Sequence, residues 1–409
     1  MISFSKRSEY IKNPILELDA DAEKLMKSGR KIIKLNRGDP PVYFKTPEFM
    51  IDAYIEALKE NQTNYSRASG TYELLDAVSK RYKRLYGEDI GSEKIIATAG
   101  VTEALFFINH ALMERNDRAI ILKPYYPQYI PRLMSEEGKP IFMNQVMENE
   151  WDVNTDEIEH KLKSMKSENK LKRLKYMIIT NPGNPTGRVF KRDTLERIAS
   201  LANEFEFLLI SDEIYDEIVY HGTKFTSMSE VAEDIPHIIL NGSSKNLDST
   251  GFRVGFVILP GDDRESVRIR EKLKEYALTR LSLNTPAQHS VTVGFNNFRE
   301  HNKAIDRMVH NIKQRVETVV KMIGENDLMD VVMPDSTFYV FPKIDLKRLD
   351  FKNGDEFVRA ALFEAGVQLT RGSAFGAPSN FRIVALPEEE TLEYAIEKIN
   401  KMCKKHMKK

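Results

Sequence analysis

The sequence predicts an α/β protein: a mostly parallel central sheet with flanking helices, joined to a smaller α+β domain. Three observations lead there. From about residue 95 to 260, short apolar runs alternate with long amphipathic stretches, and strands separated by helices build a parallel sheet covered on both faces. Runs such as Tyr176-Met177-Ile178-Ile179 are apolar without alternation, as expected of strands buried on both sides. After Pro286 the texture changes to a long helical stretch followed by isolated strand-like runs.

Taken in order, the first group of predicted strands is Lys94–Thr98, Ala119–Leu122, Tyr176–Thr180, Phe207–Ile210, His237–Leu240 and Val254–Leu259. Predicted helices between and after them include Val101–Met113, Lys191–Glu204 and Arg264–Thr279, each with apolar residues at helical spacing. Beyond Pro286, Asp335–Pro342 and Phe381–Leu386 read as strands, and a terminal helix starts near Glu388. Residues 46–290 form the large domain in this reading, and residues 291–409 the small one. Residues 1–45 are too few to fold alone and join the small domain as an N-terminal arm.

Composition excludes several classes of function. In 409 residues, Lys+Arg and Asp+Glu both total 61, so no global field draws the chain to nucleic acid or an anionic membrane. The single cysteine, Cys403, rules out an intrachain disulfide framework, and the eight histidines show no HExxH spacing, so no metal is expected. No apolar run reaches the ~18 residues of a membrane span, and Met1–Tyr10 has no apolar signal core. A cytoplasmic protein is expected.

In open α/β sheets, ligands bind beyond the carboxyl ends of the strands. Lys94–Thr98 is followed by Ala99-Gly100-Val101-Thr102 at the start of a helix, where unpaired amides suit a phosphate. Ala119–Leu122 leads into Pro124-Tyr125-Tyr126-Pro127, a proline-fixed loop that can offer an aromatic face. Tyr176–Thr180 leads into Asn181-Pro182-Gly183-Asn184-Pro185-Thr186-Gly187, far richer in turn formers than a plain connection needs. Phe207–Ile210 leads into Ser211-Asp212-Glu213-Ile214-Tyr215, and a buried acid calls for a cation. His237–Leu240 leads into Asn241-Gly242-Ser243-Ser244-Lys245, with Arg253 eight residues on. A pocketed lysine amine can condense with a carbonyl, and an arginine can grip a phosphate through paired hydrogen bonds. Each feature alone has an ordinary structural reading. Jointly they describe a flat, phosphorylated ligand with a carbonyl, a ring oxygen and a basic ring nitrogen, which are the features of pyridoxal 5′-phosphate.

With these motifs in this order, the chain resembles the class I/II aminotransferases, pyridoxal-phosphate-dependent transferases of fold type I related to alanine and aspartate aminotransferase. The likeness runs from Leu35-Asn36-Arg37-Gly38-Asp39-Pro40 to Asn380-Phe381-Arg382-Ile383. It implies that Lys245 carries the cofactor and is the catalytic base. It implies that Asp212 faces the ring nitrogen, Asn184 and Tyr215 the ring oxygen, and Tyr126 the ring face. Val101, Thr102 and Arg253 would hold the phosphate, with Ser243 nearby and Tyr65 reaching over from a second subunit of a homodimer. Gly38 and Arg382 would receive the substrate carboxylate. The chain departs from the family pattern at Gly242, at Asp248-Ser249 and at Ser336-Thr337.

The resemblance implies transfer of an amino group from an L-amino acid to a 2-oxo acid. Alanine with 2-oxoglutarate is the expected pair, on stretches such as Leu240–Lys245 and Gly372–Gly376. Aspartate as donor, or cleavage of a C–S bond on the same fold, would use the same lysine and carboxylate anchor. Arg37, beside Gly38, is the one arginine whose motif position brings a second cation near the site, although neighbouring residues often point opposite ways.

Overall fold

Apolar, β-branched runs build a seven-stranded sheet. The computed structural model describes residues 3–408. After a two-residue strand, β1 (Ile33–Lys34), the sheet strands follow in chain order: β2 (Ile95–Thr98), β3 (Arg118–Lys123), β4 (Lys139–Asn144), β5 (Leu174–Thr180), β6 (Leu208–Asp212), β7 (His237–Gly242) and β8 (Gly255–Ile258). Their order across the sheet is β2-β8-β7-β6-β5-β3-β4. The pairs from β7 to β4 are parallel, whereas β8 runs antiparallel to both neighbours. The register sets Thr180 beside Asp212 and Asp212 beside Leu240, so the carboxyl ends of β5, β6 and β7 share one edge.

Alternate residues of a strand face opposite sides. Met177 and Ile179 of β5 pack into one core layer with Leu209 and Ile198, and Tyr176 and Ile178 into another with Ile210 and Ile108. Helices Val101–Leu112, Arg192–Phe205 and Arg264–Arg280 match their predicted positions within a residue or two. Asp263 starts the last of these by accepting from the amides of Glu265 and Ser266, satisfying donors that the first turn leaves open.

A further core joins the chain's two ends. Leu18, Ala22, Ile33 and Leu35 pack with Phe338, Val367 and Ile383, and β1 pairs in parallel with Val367–Gln368. The 27-residue helix Phe298–Gly324 buries Ile305, Met308, Ile312, Val316, Val319 and Ile323 along one stripe, the spacing of an amphipathic helix.

Two expectations change here. β4 was absent from the predicted strands; it is an edge strand with Pro140 in it and exposed residues along one side, where proline is tolerated and the apolar signal is halved. The predicted strand Asp335–Pro342 shrinks to Tyr339–Val340. Thr337 takes a φ of +62°, which breaks the extended run, while Ser336 bridges to Val219.

Candidate functional site

The shared strand edge opens into a cavity of about 300 Å³. Gly38, Val101, Thr102, Tyr126, Asn184, Asp212, Tyr215, Lys245, Arg253 and Arg382 all line it. Residues far apart in the chain thus meet as the motifs imply. Tyr65, expected to serve the site of a second subunit, is not among the residues lining this one and stands 78 % exposed. One residue expected here does not reach the cavity. Ser243 is turned beneath it: its amide and hydroxyl both donate to the Val254 carbonyl (3.0 and 3.2 Å), and Ser249 donates to its oxygen at 2.8 Å. Those bonds point Ser243 away, and Ser244 occupies the wall instead.

Lys245 sits in the one-turn helix Ser243–Asn246 directly after β7. Its Nζ donates to the Gly38 carbonyl at 2.6 Å. Burial pulls the ammonium down to about 8; Asp39 opposes that shift, and Arg382 and Arg253 add to it. A lysine so placed is neutral far more often than one in water. Gly38 cannot carry a side chain here. A Cβ would come within 2.4 Å of the Tyr339 hydroxyl and 2.6 Å of Phe338 Cε2.

Asp212 ends β6 and is buried. Tyr129 donates to its Oδ2 at 2.8 Å. Burial pushes its carboxyl up to about 6, against the Tyr129 bond, the Ile214 amide and the charge of Lys245. A cationic partner would bring it down again, so the carboxylate is suited to a protonated ring nitrogen.

Arg382 is 1 % exposed. It donates to Asn184 Oδ1 (2.9 Å) and the Asn36 carbonyl (2.7 Å), and its Nε has no partner. Its guanidinium lies over the rings of Tyr339 and Phe375, 4.4 and 4.9 Å from their centroids. A buried guanidinium with only neutral partners is an anion receptor awaiting its carboxylate. Asn184 also approaches Tyr215, whose hydroxyl meets that of Tyr339 at 2.8 Å.

Arg253 reaches the start of helix Val101–Leu112, donating to Ala99 O at 3.1 Å and Thr250 O at 2.9 Å. Gly100, with φ +77°, makes room: a Cβ there would lie 2.3 Å from Arg253 Nη2. A glycine, a helix amino end and an arginine at one place form a phosphate cradle. The cavity therefore fits pyridoxal 5′-phosphate in its acid, its cradle and its lysine.

Tyr129, Tyr339, Asn36, Ser244 and Ile15 also belong to the site or its supports. Tyr129 lies three residues beyond Tyr126, and Tyr339 lies in the departing stretch from Ser336. Neither position told what its hydroxyl would meet.

Comparison with known proteins gives one answer. A family model described as "Aminotransferase class I and II" matches residues 30–399. The chain is 27 % identical to an aspartate aminotransferase of Bacillus subtilis (strain 168), covering 96 % of each. It is 29 % identical to a glutamate-pyruvate aminotransferase of Escherichia coli (strain K12), covering 95 % of this chain and 93 % of the other. Among solved structures, an alanine aminotransferase from Pyrococcus furiosus superposes with a TM-score of 0.93 at 34 % identity, over 99 % of this chain and 100 % of that one. Matched from Arg30 to Ile399, and with a lysine, an acid and a phosphate cradle on one sheet edge, the chain belongs to the class I and II aminotransferases, whose cofactor is pyridoxal 5′-phosphate.

Proposed function

We propose that the enzyme moves the amino group of a small neutral L-amino acid, alanine foremost, to 2-oxoglutarate. The observation that carries an amino-acid substrate, though not the choice among amino acids, is Arg382, a buried guanidinium with neutral partners on the cavity wall. An α-carboxylate is the anion every amino acid brings. Similar proteins are named for alanine or the glutamate-pyruvate pair and for aspartate; the first two, with the stretches Leu240–Lys245 and Gly372–Gly376, support the choice of alanine.

When bound, pyridoxal 5′-phosphate supplies a carbonyl for the amino group and an electron-withdrawing ring. In this reading Val101, Thr102 and Arg253 would hold its phosphate, with the Ser244 hydroxyl in place of Ser243. Tyr126 would cover the ring, Asn184 and Tyr215 would meet its oxygen, and Asp212 its nitrogen. Arg382 fixes the substrate's α-carboxylate and so orients Cα–H toward Lys245. The neutral Lys245 Nζ takes the Cα proton and returns it to the accepting carbon. Gly38 O, which holds Nζ at 2.6 Å, keeps the amine at the mouth of that path.

Residues 46–290 would then carry the cofactor. Residues 1–45 and 291–409 would carry Gly38 and Arg382, so the carboxylate contacts belong to a separate body. The active unit is proposed to be a homodimer. Tyr65 projects from a segment held by hydrogen bonds from Thr285 to Asn64 O (2.9 Å) and between Ser66 and Ser282 (3.5 Å). Exposed Ile51, Ile55 and Leu58 lie on the helix Glu48–Lys59, which packs on the helix Thr285–Asn296. A free, buried Cys403 suits a reducing, cytoplasmic setting.

The test of substrate is kcat/KM for alanine against aspartate with 2-oxoglutarate saturating. Alanine should lead by at least tenfold, about 1.4 kcal/mol in transition-state binding. An equal lead for aspartate would overturn the alanine reading and leave transamination standing.

The lysine makes a pH prediction. Only the neutral amine attacks a carbonyl, and the Lys245 ammonium is lowered to about 8. Below that pH the neutral fraction rises about tenfold per unit, and above it the fraction levels off. The rate at which apoenzyme takes up pyridoxal 5′-phosphate, followed by absorbance, should rise toward pH 8 and then flatten. A rise that continued unbroken to about pH 10, the ordinary lysine range, would show that burial does not shift this amine.

A further inference from the structure

Four cationic side chains line the cavity, Arg37, Lys245, Arg253 and Arg382, against one carboxylate, Asp212. Three of the cations have work in the proposed reaction: the carbonyl for Lys245, the phosphate for Arg253, the α-carboxylate for Arg382. Arg37 has no anion among the cofactor and a neutral amino acid. The proposed acceptor, 2-oxoglutarate, and its product glutamate each bring one more carboxylate.

We infer that Arg37 recognises the distal carboxylate of the dicarboxylic substrate, and that Asp19 is the site where its guanidinium rests when that substrate is absent. This inference rests on the transamination reading and names the residue that admits its dicarboxylic half.

Three observations place Arg37 in that role. The first is its position between two residues that already hold site cations. The Asn36 carbonyl accepts from Arg382 at 2.7 Å, and the Gly38 carbonyl accepts from Lys245 at 2.6 Å. A substrate clamped by Arg382 and facing Lys245 therefore lies along the segment that carries Arg37.

The second is the asymmetry of the Arg37–Asp19 pair. The arginine side chain is 58 % exposed and the aspartate 19 %. Asp19 is held from two other sides, by Asn36 Nδ2 at 3.0 Å and Gln368 Nε2 at 2.7 Å. The acid is fixed and the arginine is the member free to move. An ion pair that open to water is weak and readily exchanged.

The third is chemical. A guanidinium offers a carboxylate two parallel hydrogen bonds, and a substrate carboxylate drawn into the cavity competes with Asp19 on better terms than water does. With alanine bound, Arg37 stays on Asp19 and keeps its carboxylate partner. One site can then accept a neutral and a dicarboxylic substrate in turn, which a ping-pong exchange between alanine and 2-oxoglutarate requires. Ile15, also on the wall, offers an alanine methyl an apolar neighbour.

The test uses holoenzyme and two readouts. Glutarate, an unreactive dicarboxylate, is titrated by the change in cofactor absorbance. The half-reactions with glutamate and with alanine are followed separately. In Arg37→Gln, glutarate affinity and kcat/KM for glutamate should both fall by about 100-fold, as loss of a charged hydrogen-bonded pair does, with alanine far less affected. Arg37→Lys keeps the charge without the paired geometry and should fall between. Asp19→Asn removes the competitor and should tighten glutarate. Equal losses for glutamate and alanine in Arg37→Gln, or unchanged glutarate affinity, would overturn the assignment. If the wild-type enzyme converts neither amino acid, transamination is what fails, and the glutarate titration still reads Arg37 by itself.

Discussion

Lys245→Ala should lower the rate of the alanine half-reaction by about 10⁴-fold, the upper end of what a positioned acid–base group contributes. The expectation comes from placement more than from charge. Burial lowers the ammonium to about 8, so near neutral pH a useful share of the amine can accept a proton. Lys245→Arg separates proton transfer from charge. A guanidinium keeps the positive charge and does not deprotonate in proteins, so this variant should be nearly as slow as the alanine one. Cofactor content, measured by absorbance after gel filtration, should fall less than the rate, because the phosphate cradle of Gly100, Arg253 and the helix start is intact. Single-turnover rates decide it. If Lys245→Arg stays within tenfold of wild type, Lys245 is not the group that moves the Cα proton. Borohydride reduction of the wild-type holoenzyme, followed by peptide mapping, provides the partner result: label on Lys245 alone.

Much of this site was legible because its parts lie at strand ends, where the signal is local. A buried apolar run stops, and a short polar stretch with a distinctive residue follows. Asp212, Asn184, Lys245 and Thr102 each announce themselves within a few residues of such a stop. What could not be read is contact across sequence. The Tyr215–Tyr339 hydroxyl pair joins residues 124 apart, and the Arg382–Asn184 bond joins residues 198 apart. The turning of Ser243 beneath the site depends on Val254 and Ser249, and two adjacent serines give no hint which one faces the ligand. The edge strand Lys139–Asn144 hid for another reason. Half of it faces solvent, and its proline counts against a strand unless the strand is known to lie at an edge. Arg37 marks the limit of rules about direction. Strand alternation would send Arg37 and Gly38 opposite ways, yet β1 ends at Lys34 and both residues line the cavity.

Behind the site lies a charge cluster whose disruption should cost the fold heavily. Arg81 is fully buried on the helix Tyr72–Tyr86. It donates to Asp216 at 2.7 Å and to Glu217 at 2.6 and 3.1 Å. Asp216 also receives Tyr86 (2.5 Å), Asn241 (2.8 Å) and Asn246 (2.6 Å), and Glu217 meets His301 at 2.8 Å. Arg81→Met should destabilise the protein by about 3–5 kcal/mol, the cost of leaving buried carboxylates without their cation. Burial alone would raise the Glu217 carboxyl, but Arg81 and His301 outweigh it and hold the group below its ordinary range. The sign of the pH dependence follows. In the wild type, the stabilisation from Glu217 is complete above the ordinary carboxylate range and is lost only as pH falls through the depressed value. In Arg81→Met burial acts on Glu217 unopposed by that cation, so its carboxyl favours protonation, and acid should narrow the gap between variant and wild type. Denaturant unfolding of both proteins at about pH 7 and near the ordinary carboxylate pKa of about 4.3 measures that gap. A gap below about 0.5 kcal/mol, the scale of a surface substitution, would mean that water or another group already serves these carboxylates. Adding Asp216→Asn and Glu217→Gln to Arg81→Met should restore much of the stability, since the penalty is an unpaired charge and not a lost shape. The same cluster bears on catalysis through its neighbours. Asp216 follows Tyr215 and Asn246 follows Lys245 in the chain, so the bonds from Arg81 and Asn246 to one carboxylate fix the backbone on which both site residues stand. The triple variant therefore distinguishes two roles: recovered stability with turnover still low would show that the charged cluster also positions Tyr215 and Lys245, whereas recovery of both would confine it to the fold.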